Sequence, residues 1–385
     1  MVDHLSDVQR SIVGIAEQWG SERDQRQLRR ALDRRDFDLL RDAGLLRLWA
    51  PVDAGGTWLR AEASVRGVCE IYRLLASADP SVALVSCMHS VLAFWLATPD
   101  PLQPEWEQQR RAVFESAVAG DQWGTITSEP GSGGDISRTR SVATPSDAAT
   151  SLPGRRYTVT GDKHFGSGSG ITDWMITTAV PEGEPAPTVF VLDVRGRPWD
   201  GSAGLTLLAE WDGMGMAATQ SHAMRLHDVP TVRLAFDGKL EQISRAANPI
   251  IWTLFTAVIL GVLDAAIASA RVRIRSTAAG LRPYEQVEWS RAELDHWVAV
   301  QAYEGALRAV ESGDPAQSFA GALRAKQAVA ELAENTMLRV TRVLGGGTFS
   351  QRSHFAHWFE DVRALGFLRP PWGLAYDSLF ATSIE

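Results

Sequence analysis

The chain has 385 residues, of which 45% are hydrophobic and 22% are charged, and its formal net charge is -8. This composition is typical of a globular enzyme and excludes a disordered or collagen-like chain. The acidic balance argues against a nucleic-acid partner, which usually requires a basic excess. With only Cys69 and Cys87 as cysteines, and with neither a long apolar run nor a signal peptide, we expect a reduced, cytoplasmic protein that does not cross a membrane.

Residues 1–120 show the apolar spacing of helices. The spacing is clear in SDVQRSIVGIAEQWG and DFDLLRDAGLLRLW, and it returns over Ala61–Ala76 after breaks at Pro51 and Gly55–Gly56. The following run, SVALVSCMHSVLAFWLA, is apolar on nearly every side. It predicts a single buried helix.

Residues 121–240 have short apolar runs in place of the helical spacing. The short runs YTVTG, DWMITTAV, TVFVLDV and HAMRLHDV are separated by glycine, proline and serine clusters. Such runs predict the strands of a small barrel or sandwich.

Residues 241–385 return to the helical period in three long segments. These segments begin at IIWTLFTAV, at YEQVEWSRA and at QSFAGALRA, and short loops join them. The pattern predicts a four-helix bundle, so the fold class is α+β, with helices before and after a β-domain.

Two glycine-rich segments could bind a ligand. The first, Ser128–Asp135, contains Gly133 and follows Thr127, so that its backbone and hydroxyls could approach a flat or phosphorylated molecule. The second, GDKHFGSGSG, places Phe165 and Ser167 where an aromatic ring could stack and a hydroxyl could donate a hydrogen bond. A turn without a ligand would explain the first segment equally well. For the second, the pattern alone favours a flexible turn with a core phenylalanine.

Weaker signals lie in the helical segments. Arg271 and Arg275 are four residues apart and could present two guanidinium groups to a phosphate, or form a solvated face. The glycines after the last long segment could end that helix. His89 and His354 are weak catalytic candidates, and no metal site is predicted because His354 lacks acidic or cysteine partners nearby.

The order of these motifs resembles the acyl-CoA dehydrogenase family of flavoproteins over nearly the whole chain. TSEPGSGGD resembles the family's flavin-binding T-E-P-G-x-G-S-D signature, and GDKHFGSGSG resembles its G-x-K-x-W-I-T-N segment. AGLLRLWAPVDAGG, WDGMGMAATQSHAMRLHDV and RVLGGGTFSQRSHFAHWFEDVRA resemble three further family segments in the same order.

The resemblance implies an N-terminal helical domain (1–120), a central β-domain (121–240), a C-terminal four-helix bundle (241–385), bound FAD and a homodimer or homotetramer. It places Phe165 where the family has a stacking tryptophan and Ser167 where the family has a threonine beside the flavin. The glycine loop would reach the cofactor of a neighbouring subunit. The implied cofactor-binding residues are Ile126, Thr127, Ser128, Gly133, Phe165, Ser167, Arg275, Arg342, Gly345, Gly346 and Gly347.

The departures from the family pattern concern the reaction. The family's catalytic glutamate would fall near Arg369–Pro371, or in the alternative position near Ile251, and neither place has a carboxylate. Loss of a positioned base costs roughly 100- to 10,000-fold in rate. Glu360, Asp361 and Asp377 are the acids left nearby.

Three functions follow from the resemblance. Family frequency makes α,β-dehydrogenation of an acyl thioester, on CoA or on a carrier, with FAD, the leading expectation. The missing glutamate favours a flavin-dependent monooxygenase that receives reduced FMN or FAD from a reductase and uses oxygen to hydroxylate a small molecule; the F-x-S-G-S phrase looks like those enzymes. The third is a non-catalytic subunit of a mixed flavoprotein assembly.

Overall fold

The N-terminal part of the chain is helical. The computed structural model describes residues 4–96, 104–236 and 239–384. Asp33 and Asp79 begin two of the helices by accepting backbone N–H groups with their side chains, as N-cap residues do. The helices are α1 (His4–Ser21), α2 (Arg23–Arg26), α3 (Arg34–Asp42), α4 (Ala61–Ala78), α5 (Pro80–Cys87), α6 (Ala93–Leu96) and α7 (Pro104–Ala119).

The run predicted as one buried helix is buried but interrupted. A 3-10 turn over Met88–Leu92 separates α5 from α6, and Ala97 lies outside the described residues. The turn carries His89, whose ring nitrogens contact the backbone of Leu46 and of Trp123. The prediction of a single helix is therefore wrong, because an all-round apolar pattern does not reveal a change of helical pitch.

The central part forms a closed β-barrel. The neighbours β4, β2, β3, β7 and β5 are joined in a ring because β5 also pairs with β4, and β1 and β6 add to this ring. Closure leaves no free edge in the ring. The strands are β1 (Trp123–Thr125), β2 (Val142–Pro145), β3 (Arg156–Gly166), β4 (Trp174–Pro181), β5 (Thr188–Asp193), β6 (Leu205–Ala209) and β7 (His222–Arg233).

The C-terminal part is a helical bundle around one long central helix. This helix, α8, has the length and apolar composition of a membrane-crossing helix, but 89% of its most apolar window is buried inside the fold. It is therefore a core helix. The helices are α8 (Leu240–Thr277), α9 (Pro283–Glu311), α10 (Pro315–Leu344), α11 (His354–Gly366) and α12 (Trp372–Ile384).

One hydrophobic core runs through both helical parts, and the barrel has a second core of its own. Four tryptophans join the first core to the barrel. Trp106 stacks on Trp95 at 6.1 Å between ring centroids, Trp95 meets Trp123 edge-on at 5.5 Å, and Trp123 stacks on Trp174 at 5.5 Å. The predicted α+β architecture of helices, β-barrel and bundle is confirmed.

Candidate functional site

The two predicted ligand-binding segments lie side by side. The backbone N–H of His164 donates to the carbonyl of Ser128 at 2.8 Å, which forms a bridge between the segments. A Cβ atom on Gly166 would lie 2.8 Å from Cδ1 of Ile126, so a larger residue there would displace the Ile126 side chain. The fold thus brings Ile126–Ser128 against Phe165.

A buried ion pair connects the two segments. Lys163 Nζ donates to Glu129 Oε1 at 2.6 Å and to the carbonyl of Thr178 at 2.6 Å, and the lysine is wholly buried. Burial opposes ionisation of Glu129, but Lys163, Ser141 and Arg140 donate to it and together lower its pKa. Our motif analysis did not single out this pair, although each motif supplies one of its members.

Phe165 ends β3 with an exposed ring. Its φ is 58°, which is unusual for a residue with a side chain, and 57% of its surface is accessible. The ring meets Trp211 edge-on at 6.0 Å. Ser167 lies just beyond it, with its hydroxyl 2.8 Å from that of Ser221. An exposed aromatic face beside two hydroxyls is suited to a flat ring with polar edges.

The glycine-rich loop after Ser128 borders the same place. Gly131, Gly133 and Gly134 all have positive φ, and side chains at the first two would meet nothing within 4 Å. A Cβ on Gly134 would lie 2.9 Å from Pro371. The segment between α11 and α12 therefore covers the position where the family signature has serine.

Arg369 faces this loop. Its Nη2 donates to Ser128 Oγ at 3.2 Å, and burial lowers its pKa to about 10. The segment where the family carries its base thus presents a cation to the candidate site. The sequence placed Arg369 at this point of the chain but could not show the direction of its side chain.

The remaining acids are engaged elsewhere. Glu360 pairs with Arg363, and Asp361 accepts the backbone N–H of Met216 at 2.7 Å. Asp377 is exposed on α12. None of the described contacts joins these carboxylates to the group around Ser128.

The two histidine candidates have structural contacts. His89 is wholly buried; its Nδ1 accepts from the backbone N–H of Trp123 at 3.0 Å, and its Nε2 lies 3.2 Å from the carbonyl of Leu46. Burial lowers its pKa to about 3, so it is neutral and neither nitrogen is free to act as a base. His354 Nδ1 lies 2.8 Å from Gln27 Oε1, just after α2, and burial lowers the pKa of His354. Its Nε2 lies 3.2 Å from Asp24, so the expectation that His354 has no acidic partner is wrong.

The predicted cofactor residues of the bundle lie on its surface. Arg342 pairs with Glu288 at 3.2 Å, while Arg275 and Gly345–Gly347 are exposed near the ends of α8 and α10. No described contact brings them to the Ser128 group within one chain. Arg271, four residues before Arg275, pairs with Glu293 at 2.8 Å.

Comparisons with known proteins agree with this architecture. No family model matches the chain. Dibenzothiophene monooxygenase of Rhodococcus qingshengii is 25% identical over 315 residues, which are 79% of this chain and 70% of that protein. The probable FMNH2-dependent monooxygenase SfnC of Pseudomonas putida is 27% identical over 343 residues, 80% of this chain and 77% of that protein.

Solved structures of both reaction types share the fold. FMN-bound TdsC of Paenibacillus sp. A11-2 superposes with a TM-score of 0.78 at 22% identity, covering 97% of this chain and 96% of that one. Butyryl-CoA dehydrogenase of Megasphaera elsdenii gives a TM-score of 0.80 at 19% identity and covers 98% of both chains.

The chain thus has the acyl-CoA dehydrogenase-like fold, which dehydrogenases and flavin monooxygenases share, and the predicted resemblance is confirmed. At these identities the likeness shows a fold that the chain shares with flavin-dependent oxidoreductases. The site fits a flavin, because the exposed face of Phe165, the Thr127 and Ser128 hydroxyls and the unfilled glycine loop offer stacking and hydrogen bonds at one place.

The double variant Phe165→Ala with Ser167→Ala is expected to bind flavin about 10- to 100-fold more weakly, since aromatic stacking contributes roughly 1–3 kcal/mol per ring. Titration of FMN and FAD, followed by flavin fluorescence, measures the effect. Phe380→Ala removes an equally exposed ring on α12 and serves as the control. Undiminished affinity in the double variant would show that these side chains do not hold the flavin.

Proposed function

We propose that the protein is a flavin-dependent monooxygenase that oxygenates a small molecule. The observation that carries the proposal is Arg369, which lies in the segment where the resemblance would place the family's catalytic glutamate and whose guanidinium donates to Ser128 Oγ. A guanidinium stays protonated at neutral pH and so cannot remove a proton from a substrate. Oxygen transfer does not require a base that removes the α-proton of an acyl thioester.

In this reaction the flavin would supply the electrons, and the protein would position the flavin and the charge beside it. Reduced flavin supplies two electrons, and the overall reaction converts reduced flavin, oxygen and substrate into oxidised flavin, oxygenated substrate and water. Phe165 would hold one face of the ring, and Ser128 and Ser167 would hold its polar edge. Arg369 would keep a positive charge beside that edge, where it favours anionic species.

We propose FMN as the working form of the cofactor, supplied reduced by a separate reductase. Pro371 packs on Gly134, so the loop that matches the family's FAD signature is covered where that signature has serine. The comparison with FMN-bound TdsC points the same way. FAD remains the form expected if the protein is a dehydrogenase.

Two assays decide between oxygenation and dehydrogenation. In the first, photoreduced FMN and oxygen labelled with ¹⁸O are supplied with indole, dibenzothiophene and methanesulfinate, and the products are examined by mass spectrometry. Labelled product supports the proposal. In the second, the protein loaded with FAD is mixed anaerobically with a panel of acyl-CoAs, and bleaching of the oxidised flavin would overturn the proposal in favour of dehydrogenation. Failure to bind any flavin would favour the non-catalytic subunit.

A second copy of the chain is proposed as the partner of α9. Apolar side chains at helical spacing leave one face of this helix exposed, namely Tyr284, Val287, Leu294, Trp297 and Val298. Burying this face against its own copy would remove the apolar patch from water. Light scattering of the protein and of Trp297→Glu is expected to show a dimer or tetramer that the substitution weakens, and a monomeric parent protein would contradict this.

A further inference from the structure

The segment between α11 and α12 runs along the candidate flavin site. Arg369 contacts Ser128 at the start of the glycine loop, and Pro371 contacts Gly134 near its end. This short segment therefore forms one wall of the site.

The guanidinium of Arg369 has no carboxylate in ion-pair contact. Within residues 4–96, 104–236 and 239–384, no carboxylate oxygen lies within 4.0 Å of it; its hydrogen bond goes to the neutral hydroxyl of Ser128, and Asp135 acts on its charge only from a longer distance. The buried Arg26, in contrast, pairs with both Asp36 and Asp79. Withdrawing a charge from water without an ion-pair partner is costly, so the half-buried guanidinium of Arg369 is suited to a ligand that brings the opposite charge.

A buried lysine holds the backbone that carries Arg369. Lys326 of α10 is wholly buried, and its Nζ donates to the carbonyls of Gly366 at 2.8 Å and Pro370 at 2.9 Å. It thereby ties both sides of Arg369 to the bundle. The buried amine of Lys326 therefore fixes the backbone on both sides of Arg369.

We propose that Arg369 binds an oxyanion of the substrate beside the flavin, and that Lys326 is the positioning residue that presents it. The substrate class is a small organic molecule with a carboxylate or a comparable oxyanion, because a guanidinium fork binds two oxygens of such groups at once. The inference rests on the proposed function, because it takes the bound anion to be the substrate of that reaction. Binding of the anion can nevertheless be measured without turnover.

The phosphate of the flavin is another source of the same chemistry. The experiment therefore separates the two sources by comparing FMN with riboflavin, which lacks the phosphate. If Arg369→Gln weakens FMN but not riboflavin, Arg369 binds the cofactor's phosphate, and the substrate proposal is overturned.

Substrate selection is tested with matched pairs on the FMN-loaded protein. Acetate and acetamide, benzoate and benzamide, and 2-naphthoate and 2-naphthamide are titrated, with the visible spectrum of bound flavin and calorimetry as readouts. We expect the anion of at least one pair to bind about 10- to 100-fold more tightly than its amide, because hydrogen bonds to charged groups contribute roughly 1.5–3 kcal/mol. Arg369→Gln should abolish that preference, and Arg369→Lys should keep part of it.

Arg363→Gln is the control, since that arginine lies exposed on α11 and pairs with Glu360. No anion preference in any pair, or a preference that survives in Arg369→Gln, overturns the proposal. Anion binding without labelled product from reduced FMN and oxygen would leave this inference standing while the oxygenase function fails.

The role of Lys326 is tested by Lys326→Met. We expect the anion preference to fall while riboflavin affinity and the fold, followed by circular dichroism, are retained. If Lys326→Met does not fold, Lys326→Arg replaces it and should keep the preference only if its longer side chain still reaches both carbonyls. An unchanged preference in folded Lys326→Met rules out the positioning role.

Discussion

Replacing Lys163 with methionine is expected to lower the free energy of unfolding by about 3–5 kcal/mol, the usual cost of leaving one member of a buried ion pair uncompensated. Glu129 would keep its negative charge in the barrel wall with only Ser141 and the backbone N–H of Arg140 as donors. Because Glu129 follows Ser128, and Lys163 precedes the His164 bridge, the two segments of the candidate flavin site would also lose their common anchor. Flavin affinity should therefore fall together with stability.

Urea denaturation of three variants checks this result. Arg225 on β7 forms an exposed ion pair with Asp162 on β3. Arg225→Met removes this pair and should lower the free energy of unfolding by less than about 1 kcal/mol. The double variant Glu129→Gln with Lys163→Met should be more stable than Lys163→Met alone, because no buried charge then remains unpaired. A Lys163→Met cost no larger than that of Arg225→Met would contradict the assigned role of the pair.

Asp361→Asn is expected to stabilise the protein at pH 8 and to have much less effect near pH 5. Burial raises the pKa of Asp361 to about 7, and the charges of Asp79 and Glu360 add to this rise against the opposing N–H of Met216. A carboxyl group whose pKa is higher in the folded state than in the unfolded state contributes stability at low pH. This contribution is lost as the pH rises from about 4 through 7.

The asparagine amide is neutral at both pH values, and its oxygen can still accept the N–H of Met216. The gain at pH 8 should be on the order of 4 kcal/mol, because the pKa rises from 3.8 to about 7 and each unit of pKa shift corresponds to about 1.4 kcal/mol. Urea denaturation at pH 5 and pH 8 measures it, with exposed Asp377→Asn as the control. An equal effect at both pH values would show that Asp361 does not titrate in this range.

A chain of contacts connects Asp361 with the candidate flavin site. Asp361 holds Met216, whose carbonyl accepts the indole N–H of Trp211 at 2.9 Å, and Trp211 meets Phe165. Ionisation of a buried carboxyl group at one end of this chain of contacts therefore acts on the backbone that supports the aromatic wall. Flavin affinity of the parent protein should vary with pH near 7 more than that of Asp361→Asn.

Much of the architecture was predictable because it depends on patterns that are local in sequence. The four strand-like runs all became strands, and the glycine-rich phrases around Ser128 and Phe165 met as the order of motifs implied. The interruption between α5 and α6 was not predictable, because it depends on His89 reaching two distant parts of the backbone. Barrel closure through β4 and β5 is likewise a long-range pairing.

The charge of the site was harder to predict than its position. The sequence placed Arg369 near the missing glutamate, but its contact with Ser128 joins residues 241 positions apart, and Lys326, which holds the backbone on both sides of it, lies on α10. Side-chain direction and burial decide whether such a residue faces a ligand or water. Neither can be read from the spacing of residues along the chain.

The row of tryptophans between the helices and the barrel provides a spectroscopic signal for the docking of the helices on the barrel. Because Trp106, Trp95, Trp123 and Trp174 are close neighbours in that order, their excited states couple, and the coupling depends on α6 and α7 staying docked on β1 and β4. The near-ultraviolet circular dichroism of the apoprotein should therefore disappear in the same transition as the far-ultraviolet signal. Two separate transitions would reveal that the barrel can detach from the helices while both stay folded.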